Sequence, residues 1–519
     1  MNRCKLPPVV CLLWWGTALS VIAQETNALM TLQQLREQIA AHLAQPKFSG
    51  ALWGVKIISL ASGQTVFADH ADRLMSPASN SKLYTGALSL DRLGGNYRIE
   101  TPIYATGKIG HGGTLHGDLI VVGHGDPSWN EQLRGTNFWA VFEPFARVLT
   151  SVGVHRVDGD LVADATFFPG QPTGSGWLID DLRHGNAGMI SALTLDDNLA
   201  QVCIEPGPRI GAGCRVTLLQ PGTGLIFSNQ AVTVALNLTP HIELFHPPDA
   251  DGGVFYVLGQ LPLNGGSGVL DVVVPQPADW FANALKQALA RHGIVISGRV
   301  RSVAWPHRVA GDQTGTKMAG WDGRAAFRLG VVTSPPVREL VLNFMKPSQN
   351  LEADLLLAQV GEKLRAVDAP SWESASESGL SVMQDFLANA GIAPGDVCFD
   401  EGSGLSRENL TTARATVALL QFMAKHRESE NFLAALPVAG VDGTLQDRFR
   451  NTAAAGNVRA KTGTLHWASA LSGYVTTSVG ERLAFCVMLN RFSPESGHNA
   501  YEEIDPIVVQ LASFKGHSE

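Results

Sequence analysis

Runs of Lys or Arg are missing from this sequence, which carries a formal charge of -8. A nucleic-acid backbone or an anionic membrane surface therefore finds no basic face to bind. Cys-x-x-Cys and His-x-x-His spacings are also missing, so a structural zinc site has no ligand set, and neither a metal nor another cofactor is expected. His111, His116 and His124 lie loosely between glycines, where turn-flanking histidines are the simpler reading. Charged residues are sparse at 17%. Beyond the first two dozen residues no apolar run approaches the roughly 20 residues of a membrane span.

What is present is ample apolar material, 45% of 519 residues, in a chain too long for one ordinary domain. Gly (54) and Pro (27) favour many turns over long helical bundles. The first residues have a layout of their own. Arg3 and Lys5 precede an apolar stretch from Leu6 to Ala23, and Val21 and Ala23 stand at the -3 and -1 positions before Gln24-Glu25. That is the pattern of a secretory signal peptide, cleaved after residue 23, and it implies an exported, periplasmic or extracytoplasmic protein. The competing reading, an uncleaved anchor, is disfavoured by Pro7-Pro8, and no stable transmembrane anchor is expected after cleavage. Cys4 and Cys11 would leave with the signal, and neither has a lipobox before it. Cys203 and Cys214 flank a Pro/Gly-rich turn and could close a small hairpin disulfide. Cys398 and Cys486 sit among apolar residues and read as buried free thiols.

Patterning divides the rest. Leu32 to Leu43 has helical spacing, Trp53 to Ile58 reads as a strand, and Thr65-Val66-Phe67 begins its return across a turn. From about residue 100 to about Gly330, short strand-like pieces recur between Gly and Asp turns. Gly117-Asp118-Leu119 and Gly159-Asp160-Leu161 hint at an internal repeat there. Helical patterning returns from Arg338 through Leu357, and strands return at Val458–Thr464, Ala470–Val475 and Leu483–Leu489. Similar ends around a different middle predict a split domain carrying a large insertion: 24–100 and 335–519 as two parts of one unit, and 101–334 as a β-rich inserted one.

Three stretches carry chemistry. Ser79 and Lys82 open a helical pattern three residues apart, so they share a helix face. In a partly dry site the Lys amine can lose its proton and then take that of the Ser hydroxyl. The helix N-terminus also offers backbone N–H groups to a developing oxyanion. Lys461-Thr462-Gly463-Thr464, in a strand, supplies positive charge, hydroxyl donors for a carboxylate, and a glycine beside which a substrate backbone can lie. An ordinary edge strand would have the same look. A proton-relay group is sought in a Ser-x-Asn triplet, of which there are three, beginning at Ser128, Ser348 and Ser429. The first lies in a turn of the β-rich stretch and the third on a polar face. Ser348 and Asn350 precede the apolar helix Leu351–Leu357, where a short loop is held rigidly, and they are chosen. Glu339-Leu340-Val341-Leu342-Asn343 imitates the deacylating motif of class A β-lactamases but precedes the Ser-x-Asn loop, so Glu339 reads as an exposed helix residue.

Taken in order, Ser79-x-x-Lys82, Ser348-x-Asn350 and Lys461-Thr462-Gly463 resemble the penicillin-binding protein and serine β-lactamase superfamily. The long interval between Ser79 and Ser348 resembles its class C, DacB-like D-alanyl-D-alanine carboxypeptidases/endopeptidases. So do Gly117–Leu119 with Gly125–Pro127, Ser191–Asn198, Gly402-Ser403-Gly404-Leu405-Ser406-Arg407, and Leu436–Gly440 with Asp442–Leu445. The resemblance implies an α+β fold: a penicillin-binding/β-lactamase-like transpeptidase domain, antiparallel sheet with flanking helices plus a helical subdomain, interrupted by the insertion. It implies hydrolysis of D-Ala-D-Ala-type bonds in peptidoglycan stem peptides, and possible cross-link cleavage, through a Ser79 acyl-enzyme that β-lactams also form. Lys82 would be the base, Ser348 the relay, and Asn350, Thr462, Gly463 and Thr464 with the Lys461 charge the substrate-holding set. Glu401 and Gln349 depart from the Asp usual at those places, and the C-terminal membrane-anchoring domain of other low-molecular-mass carboxypeptidases is not expected. The rival readings are a β-lactamase or esterase with the same groups, and a catalytically silent wall-binding protein.

Overall fold

The computed structural model describes residues 30–135, 137–183, 185–246, 254–306, 326–495 and 498–518; the signal-like segment 1–23 lies outside them. Its organising element is a five-stranded antiparallel sheet assembled from both ends of the chain. Strands β1 (Leu52–Ser59) and β2 (Thr65–Asp69) come from one end; β3 (Arg459–Leu465), β4 (Ala468–Thr476) and β5 (Arg482–Asn490) come from the other. Their order is β2-β1-β5-β4-β3, with β1 and β5 paired along their whole length from Leu52↔Asn490 to Ser59↔Leu483.

Strand alternation explains why this sheet is covered on both faces. In β5, Leu483, Phe485, Val487 and Leu489 pack on one side with α1 (Leu32–Leu43) and the C-terminal helix Tyr501–Ser513. Ala484, Cys486 and Met488 point the other way, into a helical core. That core is built from α2 (Ser81–Arg92), α3 (Val337–Met345), α4 (Asn350–Leu364), α5 (Ala375–Asn389) and α6 (Ala413–Met423). The helices begin where local chemistry satisfies their first N–H groups. Thr31 and Gln34 form a capping box before α1, Ser374 and Glu377 another before α5, and Thr412 caps α6.

The stretch from Glu100 to Thr333 forms sheets of its own. The largest has the order 300–304, 161–165, 119–122, 100–105, 327–333, over a core containing Trp129, Phe142, Phe145, Trp280 and Phe281. The Gly-Asp-Leu repeat has a structural meaning here. Leu119 and Leu161 are partners in a parallel ladder, and Asp118 Oδ1 accepts the Asp160 N–H at 2.8 Å. Asp160 Oδ1 does the same for Arg299 N at 2.7 Å. A Cβ on Gly159 would stand 2.4 Å from Gly117 O, so the stacked turns admit only glycine there.

Helix α4 lies between the two assemblies. Leu351, Leu355 and Ala358 join the core of the middle stretch, while Ala353, Leu356, Leu357 and Val360 join the helical core. A helix covered on all sides has no solvated face for its polar residues. Glu352 and Asp354 are consequently buried.

Two cysteine expectations are corrected. Cys203 and Cys214 are both free thiols. Cys214 packs in a small core with Val202 and Ile204, whereas Cys203, between those two on the strand, points to the opposite face. Cys398 is exposed, because strand alternation sends Val397 inward and its neighbour out; Cys486 is buried.

Candidate active site

Ser79 stands in a single 3-10 turn, Ala78–Asn80, that runs directly into α2. Its neighbours Ala78 and Asn80 are buried while Ser79 is only half-buried. Asn80 Nδ2 donates to Ser472 Oγ of β4 at 2.7 Å, fixing the turn against the sheet. Gly463 of β3 fits closely beneath it: an added Cβ would lie 2.3 Å from Pro77 O.

One helical turn on, Lys82 is fully buried. Its Nζ lies 3.0 Å from Ser79 Oγ, 2.6 Å from Asn350 Oδ1 and 2.6 Å from Ser403 O. The Asn350 orientation is set by its other end, since Nδ2 donates to Asn186 O at 2.6 Å. Two of the three neighbours of Nζ are thus acceptors only. A neutral amine can give its two N–H groups to them and keep its lone pair for the Ser79 hydroxyl proton. Burial pulls the Lys82 amine down to about 8, against the charges of Glu401 and Asp354, which pull it up.

Ser348 lies in the break between α3 and α4 at φ +73°, a left-handed conformation unusual for a residue with a Cβ. The loop is tied at its start by Lys346, whose Nζ donates to Leu436 O at 2.7 Å and to the Asp442 carboxylate at 2.7 and 2.8 Å. Lys461 Nζ, also fully buried, donates to Ser348 Oγ at 2.8 Å and to Thr462 O at 3.0 Å. Burial, and then the charge of Lys82, hold Lys461 well below the ordinary lysine range. The structure thus brings Ser79, Lys82 and Asn350 into one hydrogen-bonded group, and Ser348 and Lys461 into a second. Among the described residues no Ser348–Lys82 hydrogen bond links the two. Thr462 Oγ1 sits 2.8 Å from Thr444 Oγ1, and Thr464 is exposed further along β3.

The other Ser-x-Asn copies lie apart. Ser128 Oγ donates to Asp126 Oδ1 at 2.6 Å in a buried knot that includes Arg134, and Ser429 begins a short helix. Glu339 is exposed on α3.

Four contributors escape a motif search. Asn186 and Ser403 act through backbone oxygens, which no side-chain pattern reveals. Asp354 sits one helical turn after Asn350, a spacing that could have marked it as facing the same way. Glu401 is visible in sequence only as an unusual residue before Gly-Ser-Gly; it is buried behind Lys82.

Comparison with known proteins gives concordant matches. The family model described as D-Ala-D-Ala carboxypeptidase 3 (S13) matches residues 35–511. A D-alanyl-D-alanine carboxypeptidase of Actinomadura sp. (strain R39) is 31% identical over 94% of this chain and 86% of its own length. The D-alanyl-D-alanine carboxypeptidase DacB of Haemophilus influenzae is 27% identical over 82% of this chain and 83% of its own. Among solved structures, penicillin-binding protein 4 (DacB) of H. influenzae superposes with a TM-score of 0.74 at 23% identity, covering 93% of this chain and 97% of the other. That last likeness establishes the α+β architecture common to penicillin-binding proteins.

Proposed function

This chain belongs to the D-Ala-D-Ala carboxypeptidase 3 (S13) family, and from that membership we propose that it hydrolyses D-Ala-D-Ala-type peptide bonds of peptidoglycan stem peptides through an acyl-enzyme on Ser79. Neutral Lys82 takes the Ser79 proton as Oγ attacks the carbonyl carbon of the penultimate D-Ala. The backbone N–H groups of Ser79 and Thr464 hold the resulting oxyanion; loss of one such donor costs roughly 3 kcal/mol of transition-state stabilisation. The proton taken by Lys82 is relayed through the hydroxyl of Ser348, which is bonded to Lys461, to the departing D-Ala amine as the C–N bond breaks. Water then cleaves the Ser79 ester and regenerates the hydroxyl. Asn350 engages the acyl amide, and Thr462, Gly463 and Thr464 with the Lys461 charge receive the terminal carboxylate.

One observation carries this reading. Lys82 Nζ lies 3.0 Å from Ser79 Oγ in a buried pocket that brings the amine down to about 8, close to where a working base is most effective. β-Lactams present the same carbonyl and carboxylate, and we propose that they acylate Ser79. We further propose that residues 101–334 are an inserted unit, and that the segment 1–23 directs export. Among the described residues no helix is long and apolar enough to cross a membrane. The test is mass spectrometry after penicillin treatment. The adduct is expected on the peptide carrying Ser79, and an adduct elsewhere, or none, refutes the assignment. Rapid nitrocefin turnover without release of D-Ala from a pentapeptide would select a β-lactamase instead.

A further inference from the structure

Behind Lys82 lie two buried carboxyl groups that the acyl-transfer steps do not use. Asp354 comes from α4 and Glu401 from the loop that follows the short strand Val397–Cys398. Each is 1% exposed. Both accept from the same peptide N–H, that of Ser403: Asp354 Oδ1 at 3.1 Å and Glu401 Oε2 at 2.9 Å. The carbonyl of Ser403 accepts from Lys82 Nζ at 2.6 Å, so a single residue connects the carboxyl pair to the amine.

The two groups are not equivalent. Glu401 accepts at both oxygens, from Ser403 N and Oγ on Oε2 and from Gly404 N and Asn409 Nδ2 on Oε1, the last two each at 2.7 Å, but the Ser403 N–H is divided between it and Asp354. Asp354 Oδ1 is likewise served by Gly402 N at 2.8 Å and by Ser403 N. Asp354 Oδ2 is fully buried and, among the described residues, no donor faces it. A buried carboxylate oxygen without a donor is costly, but the same oxygen carrying a proton can donate to a neighbouring carboxylate. Glu401 is the neighbouring carboxylate, since the two accept from the same Ser403 N–H.

We propose that one proton resides on Asp354 Oδ2 and is shared with Glu401, so that the pair presents a single negative charge to Lys82 and acts as a positioning couple for it. This rests on Lys82 being the base for Ser79. Two carboxylates behind the amine would pin it as ammonium. With no charge there, the ammonium formed when the Ser79 proton arrives would have no counter-ion. One charge serves both states. The shared proton is not consumed: the Ser79 proton passes to Lys82 and on to the leaving amine, while the proton on Asp354 stays. Burial and the Glu401 charge both drive the Asp354 carboxyl toward its neutral form. The charged groups bearing on it are Glu401 and Lys82. On its other side α4 packs closely on α5, with Gly379 against Leu357 and Ala375 against Gly361. Lys461 acts on Lys82 from β3.

A double-variant cycle tests this. In Asp354→Asn the amide donates to Glu401 as the neutral acid did, and one charge remains. In Glu401→Gln the charge that held Asp354 neutral is gone, Asp354 ionises, and again one charge remains. Only the double variant has none. The measured quantity is the midpoint of the acid limb in the pH dependence of Ser79 acylation by a penicillin. Each single variant is expected to move it by less than about half a unit, and the double variant to lower it by about one unit or more. A single variant that lowers the midpoint as far as the double does overturns the proposal, as does a double variant that leaves it in place. Infrared spectroscopy of wild-type protein carrying 13C-aspartate needs no variant. At about pH 9, Asp196 (raised to about 7) and Asp197 (raised to about 6) have ionised. A neutral aspartic C=O stretch must persist there, and its absence overturns the proposal. Failure of the underlying reading looks different: acylation would survive Lys82→Arg.

Discussion

The sharpest consequence of the buried amine is the pH dependence of acylation. If Lys82 removes the Ser79 proton, the rate follows the fraction of molecules in which Lys82 is neutral. Burial shifts that group from 10.5 to about 8. About one molecule in eleven is then competent at pH 7 and about ten in eleven at pH 9, a roughly tenfold rise in rate. Between pH 7 and pH 6 the rate falls by nearly another factor of ten, which is the unit slope of a single proton. An unperturbed lysine would instead give a limb still climbing beyond pH 10. The assay is stopped-flow acylation by a chromogenic cephalosporin at saturating concentration, so that chemistry and not capture is timed. Saturation matters because Lys461 is also depressed. Burial disfavours its charge, so capture of a carboxylate has a pH dependence of its own, which saturation removes from the measurement. The saturated rate rises to a plateau. A saturated rate that is flat from pH 6 to pH 9, or that declines, would refute the role assigned to Lys82.

Further outcomes follow from the same geometry. Lys82→Arg keeps the positive charge but cannot shed its proton, and acylation should fall by about 10² to 10⁴ in a progress-curve assay, with the protein still folded by circular dichroism. Lys461→Met should raise KM for peptides ending in a free carboxylate by at least about tenfold, and do much less to an ester lacking that carboxylate. Gly463→Ala sets a Cβ 2.3 Å from Pro77 O; β3 must shift from the Ser79 turn, lowering Tm by an amount equivalent to about 1–3 kcal/mol together with the acylation rate. Wild-type Tm in Gly463→Ala would show that strand and turn are not in the contact described.

Sequence could read the elements of the sheet because each is continuous and strongly patterned. The alternating Leu483–Leu489 run, the amphipathic Leu32–Leu43 segment and the Thr65–Phe67 return all sit where local periodicity put them. The grouping of Ser79 with Lys82 is also local, since three residues on a helix fix it. The choice of Ser348 among three triplets rests on the buried helix that follows. Other features depend on distance. Nothing near Asp354 in the chain announces that α4 is enclosed on both sides, and its carboxyl meets Glu401 only through tertiary packing. Asn186 reaches Asn350 from a stretch of chain 164 positions away and offers only a backbone oxygen. Cys398 was misjudged because apolar neighbours suggest burial, while a strand buries every second residue.

Because β1 lies between β2 and β5, one of its neighbours follows it directly in the chain and the other is the distant segment Arg482–Asn490. Until Arg482–Asn490 exists, β1 offers a bare apolar edge with no mate, and β3 has no place from which to meet the serine turn. Completion of the reactive cleft therefore waits on the pairing of segments far apart in the chain. Such long-range closure is slow. It exposes a sticky, half-made ladder for much of the enzyme's assembly, so holding factors should matter more to its yield than its resting stability would suggest.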